Sequence, residues 1–130
     1  WTTKPYKMTN IALIIGSILS ALGVAIGAFG AHGLKTILEQ NERLDTFETA
    51  VKYHVYHALA LVMVGILKLI KPEINFNLIT YMFLFGIIIF SGSLYVLSIT
   101  NMKWLGAITP VGGVLFITGW VLLTVKVLDF

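Results

Sequence analysis

The stretch VKYHVYHALALVMVGILKLI, Val51–Ile70, decides the fold class. From Ala58 onward Lys68 is its only charge. A hydrocarbon core about 30 Å thick needs about 20 largely apolar residues per helical span, and this is the second of four such segments. It nevertheless opens with His54 and His57, two titratable rings three residues apart at the mouth of an otherwise apolar run.

The rest of the chain agrees with a membrane setting. The 130 residues are 58% hydrophobic and 12% charged, against about 25% charged in a soluble domain, and the mean hydropathy is +0.91. The expectation is an all-α integral membrane four-helix bundle with spans at about 10–33, 46–70, 77–99 and 105–128, forming a single domain over residues 8–130. The first seven residues, WTTKPYK, precede Met8 and the start MTNIALIIGS; they read as an added or N-terminal tail and stay out of the fold argument. The first span, with its small-residue stretch GAFGA, also has features of a signal peptide. Its apolar run is as long as a full span, and three further spans follow.

Charge and cysteine content narrow the function. The net charge is +3, but the basic residues are spread over every polar segment, so nucleic acid is not an expected partner. No cysteine is present, which removes disulfides, thiolate metal sites and a cysteine nucleophile.

The main polar connection, between the first two spans, carries Leu34, Ile37 and Leu38 at helical spacing, the mark of a short amphipathic segment lying at the interface. Asp45 followed by Glu48 resembles a capping box, which starts the second helix near Thr46. A helix from there to Ile70 is about 37 Å long, longer than the hydrocarbon, so His54 and His57 are expected near the headgroup boundary. Lys71 and Pro72 end this span, and four spans put both termini on one side. Basic residues are nearly balanced between the two faces, which leaves the orientation open.

In lipid, close packing of small residues supplies much of the helix association. Gly16, Ser20, Gly23, Gly27 and Gly30 line one face of the first helix, an expected packing or ligand groove, with Gly86 and Ser93 of the third helix and Gly112 and Gly119 of the fourth placed to answer it. In ITPVGG, Pro110 deletes a backbone donor and Gly112 and Gly113 loosen the next turn; the alternatives are a break that exposes carbonyls to a ligand, a kink, or a helix start. Ser91 and Ser93 have no base in their own helix, so interhelical hydrogen bonding is expected of them rather than nucleophilic chemistry.

His54 and His57 share a helix face with Phe47, Ala50 and Leu61, and His32 leaves the first span on the same side of the membrane. With Glu48 they form the candidate functional cluster. Its structural reading has the rings bonded to backbone or to tyrosines such as Tyr53, Tyr56 and Tyr95; its chemical reading is a metal site or proton relay.

The four stretches GAFGAHGL (27–34), FETAVKYHVYHALAL (47–61), FSGSLYVL (90–97) and LGAITPVGGVLFITGW (105–120) together resemble the small bacterial membrane proteins of the family related to eukaryotic transmembrane protein 256, a family of unknown function. The resemblance covers nearly all of the chain after Met8. It implies a four-span, multi-pass protein of the bacterial cytoplasmic membrane and supplies no catalytic residue.

The function expected first is therefore a non-enzymatic membrane protein without a cofactor, binding membrane lipid, a hydrophobic ligand, a membrane-protein partner or a second copy of itself. The second is a histidine-based metal, redox or proton-handling enzyme. The third is a small oligomeric channel lined by Ser91, Ser93 and Thr109.

Overall fold

The computed structural model describes residues 9–130, in which the chain forms α1 (Ile11–Gly33), a short α2 (Lys35–Gln40), α3 (Leu44–Ile70), α4 (Asn77–Thr100) and α5 (Lys103–Val127). The tail expected over residues 1–7 lies outside the described residues. All but α2 are long and apolar enough to cross a membrane, and no strand occurs among the described residues. The expected all-α, four-span architecture is the one observed.

Helix starts follow local chemistry. Asn10 caps α1, its side-chain oxygen accepting from the Leu13 N–H at 3.2 Å while its amide donates to the Gly65 carbonyl at 2.9 Å. The expected Asp45 cap does not form: α3 begins at Leu44 with no side-chain cap, and Asp45 sits in its first turn, where a carboxylate favours the helix dipole. Between them, α2 buries Leu38 completely and half-buries Ile37, as an amphipathic connection should. Pro110 neither breaks nor kinks a helix. It stands in the first turn of the α-helical part of α5, Thr109–Val127, after a 3-10 turn at Lys103–Ala107, a position whose N–H would have no helical partner anyway.

The centre of the bundle is the α3–α4 pair. In each of these helices about two-fifths of the most apolar window is buried (39% and 44%), against 17% in both α1 and α5. The glycine stripe of α1 lies on α3. A Cβ on Gly16 would stand 2.7 Å from the Val62 backbone nitrogen, and one on Gly23 would stand 2.9 Å from Val55; Gly27 and Gly30 approach Val51 and Phe47. Ser20, half-buried beside them, donates to the Gly16 carbonyl within its own helix.

The glycines of α4 and α5 do not answer that stripe. They pack against each other: Gly86 receives the Phe116 ring, Gly119 the Phe83 ring, and Gly112 the backbone of Phe90. Helices adjacent in sequence thus meet in antiparallel pairs, each around its own glycines, so α1 has α3 and not α4 or α5 as its close partner. Ser93 is used in the same α4–α5 contact, with Thr109 at 2.7 Å.

Side-chain hydrogen bonds tie the ends. The Asn41 amide donates to the Ser98 and Ile99 carbonyls at the end of α4, each at 3.0 Å, and Arg43 Nε donates to Asn101 Oδ1 at 3.0 Å. Asn101 closes α4 in the left-handed conformation, φ 58°, the geometry of a helix C-terminus. One turn of π-helix interrupts α4 at Ile87–Ser91, and there Ser91 Oγ donates to the Ala50 carbonyl of α3 at 2.8 Å.

Candidate functional site: a histidine pair beside an aromatic cleft

His57 is the middle residue of the 27-residue α3. His54 lies one turn away, level with Leu19 and Gly23 of α1. The pair is therefore midway along the spans and not near their ends, contrary to the expectation from helix length. α3 starts at Leu44 instead of Thr46, and its contacts with α1 run from Phe47, against Gly30, to Gly65, against Leu13, which sets His57 near the middle of the pairing.

Each ring is nearly fully buried, and each is held at both nitrogens. His54 Nε2 lies 2.8 Å from the Leu19 carbonyl. A carbonyl only accepts, so Nε2 carries the hydrogen and Nδ1 accepts from the Tyr95 hydroxyl at 2.7 Å. His57 has the opposite tautomer. Its Nδ1–H donates to the Tyr53 carbonyl at 2.8 Å, and its Nε2 accepts from the indole N–H of Trp120 at 3.0 Å. The two histidines thus stitch all four spans: His54 joins α1, α3 and α4, and His57 joins α3 to α5.

This arrangement leaves no ring nitrogen lone pair free for a metal, which a histidine ligand requires. His32 does not join the pair. It is exposed near the end of α1, nine residues past Gly23 and so about 13 Å further along the helix. Glu48 is also exposed, beside Lys52 and against Gly27 and Ala31 in a separate surface hollow. Among the described residues no three histidine, aspartate or glutamate side chains come together to hold a metal ion. The serines of the channel reading are packed between helices: Ser91 is fully buried on the Ala50 carbonyl, and Ser93 is bonded to Thr109.

What His57 does border is a cleft of about 690 Å³ between α3 and α5. Its wall from α3 is Tyr53, Tyr56, His57, Leu59, Ala60 and Met63; its floor is Phe90; its wall from α5 is Gly113, Phe116, Ile117 and Trp120. The His57 ring stacks on Phe116 with centroids 3.5 Å apart and planes 9° apart. Phe83 meets His57 and Trp120 behind this stack, at 5.5 and 4.9 Å. At the His57–Trp120 contact the wall is thus an aromatic surface whose ring nitrogens are paired with each other.

Comparison with known proteins places this chain in a family. Residues 26–113 match the family described as "Protein of unknown function (DUF423)". The UPF0382 membrane protein of Staphylococcus saprophyticus is 44% identical over 116 residues, covering 89% of this chain and 95% of the relative. YwdK of Bacillus subtilis, also a UPF0382 membrane protein, is 41% identical over 122 residues, covering 93% and 98%. The chain belongs to this family. It is accordingly a multi-pass bacterial membrane protein of a family without a known function. No solved structure matches it. Both relatives are bacterial, and the link to the eukaryotic protein stays a resemblance.

The family match, 26–113, includes both histidines, Tyr95 and the α3 wall of the cleft. Sequence reasoning missed Trp120 as the partner of His57, and it missed the cleft. The signal available was spacing on the last span: Gly113, Phe116 and Trp120 fall three and four residues apart, on one helix face.

Proposed function

We propose that this family member is a non-enzymatic membrane protein that binds lipid, holding a hydrocarbon chain in the cleft between α3 and α5. The observation that carries the reading is the cleft itself. Its volume falls within the range of small-molecule sites, about 300–1,000 Å³, its lining is almost wholly apolar and aromatic, and His57 at its wall is the midpoint of α3. At that depth the surrounding medium is hydrocarbon, so an acyl or similar chain is the occupant in supply. His57 serves as a rigid support for the wall, because both of its ring nitrogens are committed to partners.

Mass analysis of lipid retained after purification from native membrane in mild detergent tests this reading. A Cβ on Gly113 would meet only the Phe90 ring, at 3.9 Å, so the backbone tolerates a side chain there and Gly113→Phe puts a ring into the cleft. The wild type should keep about one lipid per chain and Gly113→Phe should lose it at unchanged thermal stability. Equal retention in both proteins, or a wild type whose cleft is covered by a second copy of the chain, would overturn it.

A further inference from the structure

Resting on the lipid-binding reading, we infer that the lipid this cleft selects is a prenylated quinone, its ring held at mid-span with carbonyl oxygens on the hydroxyls of Tyr53 and Tyr56. Both tyrosines belong to the cleft and both are exposed. They stand beside His57, the midpoint of α3, and within about 6 Å of it along the helix axis. Across the cleft, Phe90 and Phe116 lie close to the middles of α4 and α5. The phenols therefore face the interior of a hydrocarbon core whose boundaries are about 15 Å from its centre.

These two hydroxyls are the uncommitted polar groups of the lining. The ring nitrogens of His57 hold the Tyr53 carbonyl and the Trp120 indole, whereas among the described residues neither phenol has a hydrogen-bond partner. A hydroxyl facing hydrocarbon without a partner is costly. A ligand that removes this cost must bring acceptors to the middle of the membrane without a charge, which is expensive there. The ester carbonyls of a phospholipid stay with its headgroup at the boundary. A quinone is neutral, its carbonyls only accept, and no headgroup tethers its ring. That ring also suits the walls: Tyr53 lies 4.9 Å from Phe90 and 6.0 Å from Tyr56, and Phe116 is stacked on His57, surfaces that take a flat conjugated ring in offset or edge-to-face contact. The isoprenoid tail then lies over Leu59, Met63 and Ile117, side chains without nitrogen or oxygen. Where no quinone is present, an acyl chain fills the same cleft and leaves the hydroxyls unpaired.

The test offers the full chain, in detergent micelles, an equimolar mixture of geranylgeranyl naphthoquinone, its carbonyl-free naphthalene analogue with the same tail, and a diacyl phosphatidylglycerol. Mass analysis after removal of unbound lipid reads what is retained. The wild type should retain the quinone about tenfold over the naphthalene analogue, the effect of two modest hydrogen bonds, and ahead of the phospholipid. The double variant Tyr53→Phe, Tyr56→Phe breaks no bond within the protein, and it should retain quinone and analogue equally. A quinone preference that survives in the double variant would overturn the inference, as would a wild type that keeps the analogue or the phospholipid as readily as the quinone. Gly113→Phe separates this failure from that of the reading beneath it. If Gly113→Phe retains all three lipids as the wild type does, the cleft is not the site and the lipid-binding reading falls; if it loses them while the wild type shows no quinone preference, only the quinone assignment falls.

Discussion

The indole N–H of Trp120 donates to Nε2 of His57 at 3.0 Å, joining α5 to α3 at the middle residue of α3. An indole only donates, so the bond requires an unprotonated Nε2, and the other ring nitrogen is already spent on the Tyr53 carbonyl. A ring held in this way is a joint, and the joint forms one wall of the cleft.

Trp120→Phe should lower the unfolding free energy by about 1–2 kcal/mol, since it strands a buried acceptor and opens the α3–α5 contact. Adding His57→Phe to that variant should cost less than the same change made alone, because the partners act as a unit. Denaturation in mixed micelles followed by circular dichroism measures the cycle, and strictly additive effects would contradict the pairing.

Nitrogen NMR of histidine-labelled protein in lipid should report two opposite neutral tautomers, Nε2–H at His54 and Nδ1–H at His57. Nε2–H at His57 would mean that Trp120 is not its donor. The assignment follows from which partners can only accept and which can only donate.

Elemental analysis of the wild type and of the double variant His54→Ala, His57→Ala should give the same sub-stoichiometric metal content. The variant should nevertheless be less stable, having lost four side-chain hydrogen bonds, three of which connect the spans. Stoichiometric metal present in the wild type and lost in the variant would restore the chemical reading of the pair.

Glycines divide into two classes that a thermal-stability series can separate. A Cβ at Gly16 stands 2.7 Å from the backbone of α3, whereas one at Gly92 has nothing within 4 Å. Gly16→Ala should destabilise by about 1–3 kcal/mol through overpacking. Gly92→Ala should be neutral or stabilise by up to about 1 kcal/mol through helix propensity. The reverse order would place the α1–α3 contact elsewhere.

Much of the fold was legible because hydrocarbon imposes length and polarity on each span. The four apolar segments, the amphipathic piece ending at Gln40 and the glycine stripe of α1 all follow from spacing along one helix. Relations between helices were not legible in that way. Gly112 and Gly119 were expected to answer the stripe on α1, yet they receive Phe90 and Phe83 of the adjacent α4, because the pairing of helices depends on which rings fit which notches. The place of His57 midway along α3 was missed for a related reason: helix length alone does not say how an overhang is divided between two ends. The two histidines were legible as a pair on one face, but Trp120, far along the chain, was not, since nothing local to either residue encodes the contact.

The central claim is that the cleft between α3 and α5 holds a lipid chain. Its most direct test is photo-crosslinking in liposomes with a phosphatidylglycerol carrying a diazirine on its acyl chain, followed by peptide mapping of the adducts. Adducts should concentrate on cleft residues such as Met63 and Ile117 and be abolished there by Gly113→Phe. Adducts spread evenly over the lipid-facing residues of all four spans, such as Ile18 and Val125, and insensitive to Gly113→Phe, would contradict it.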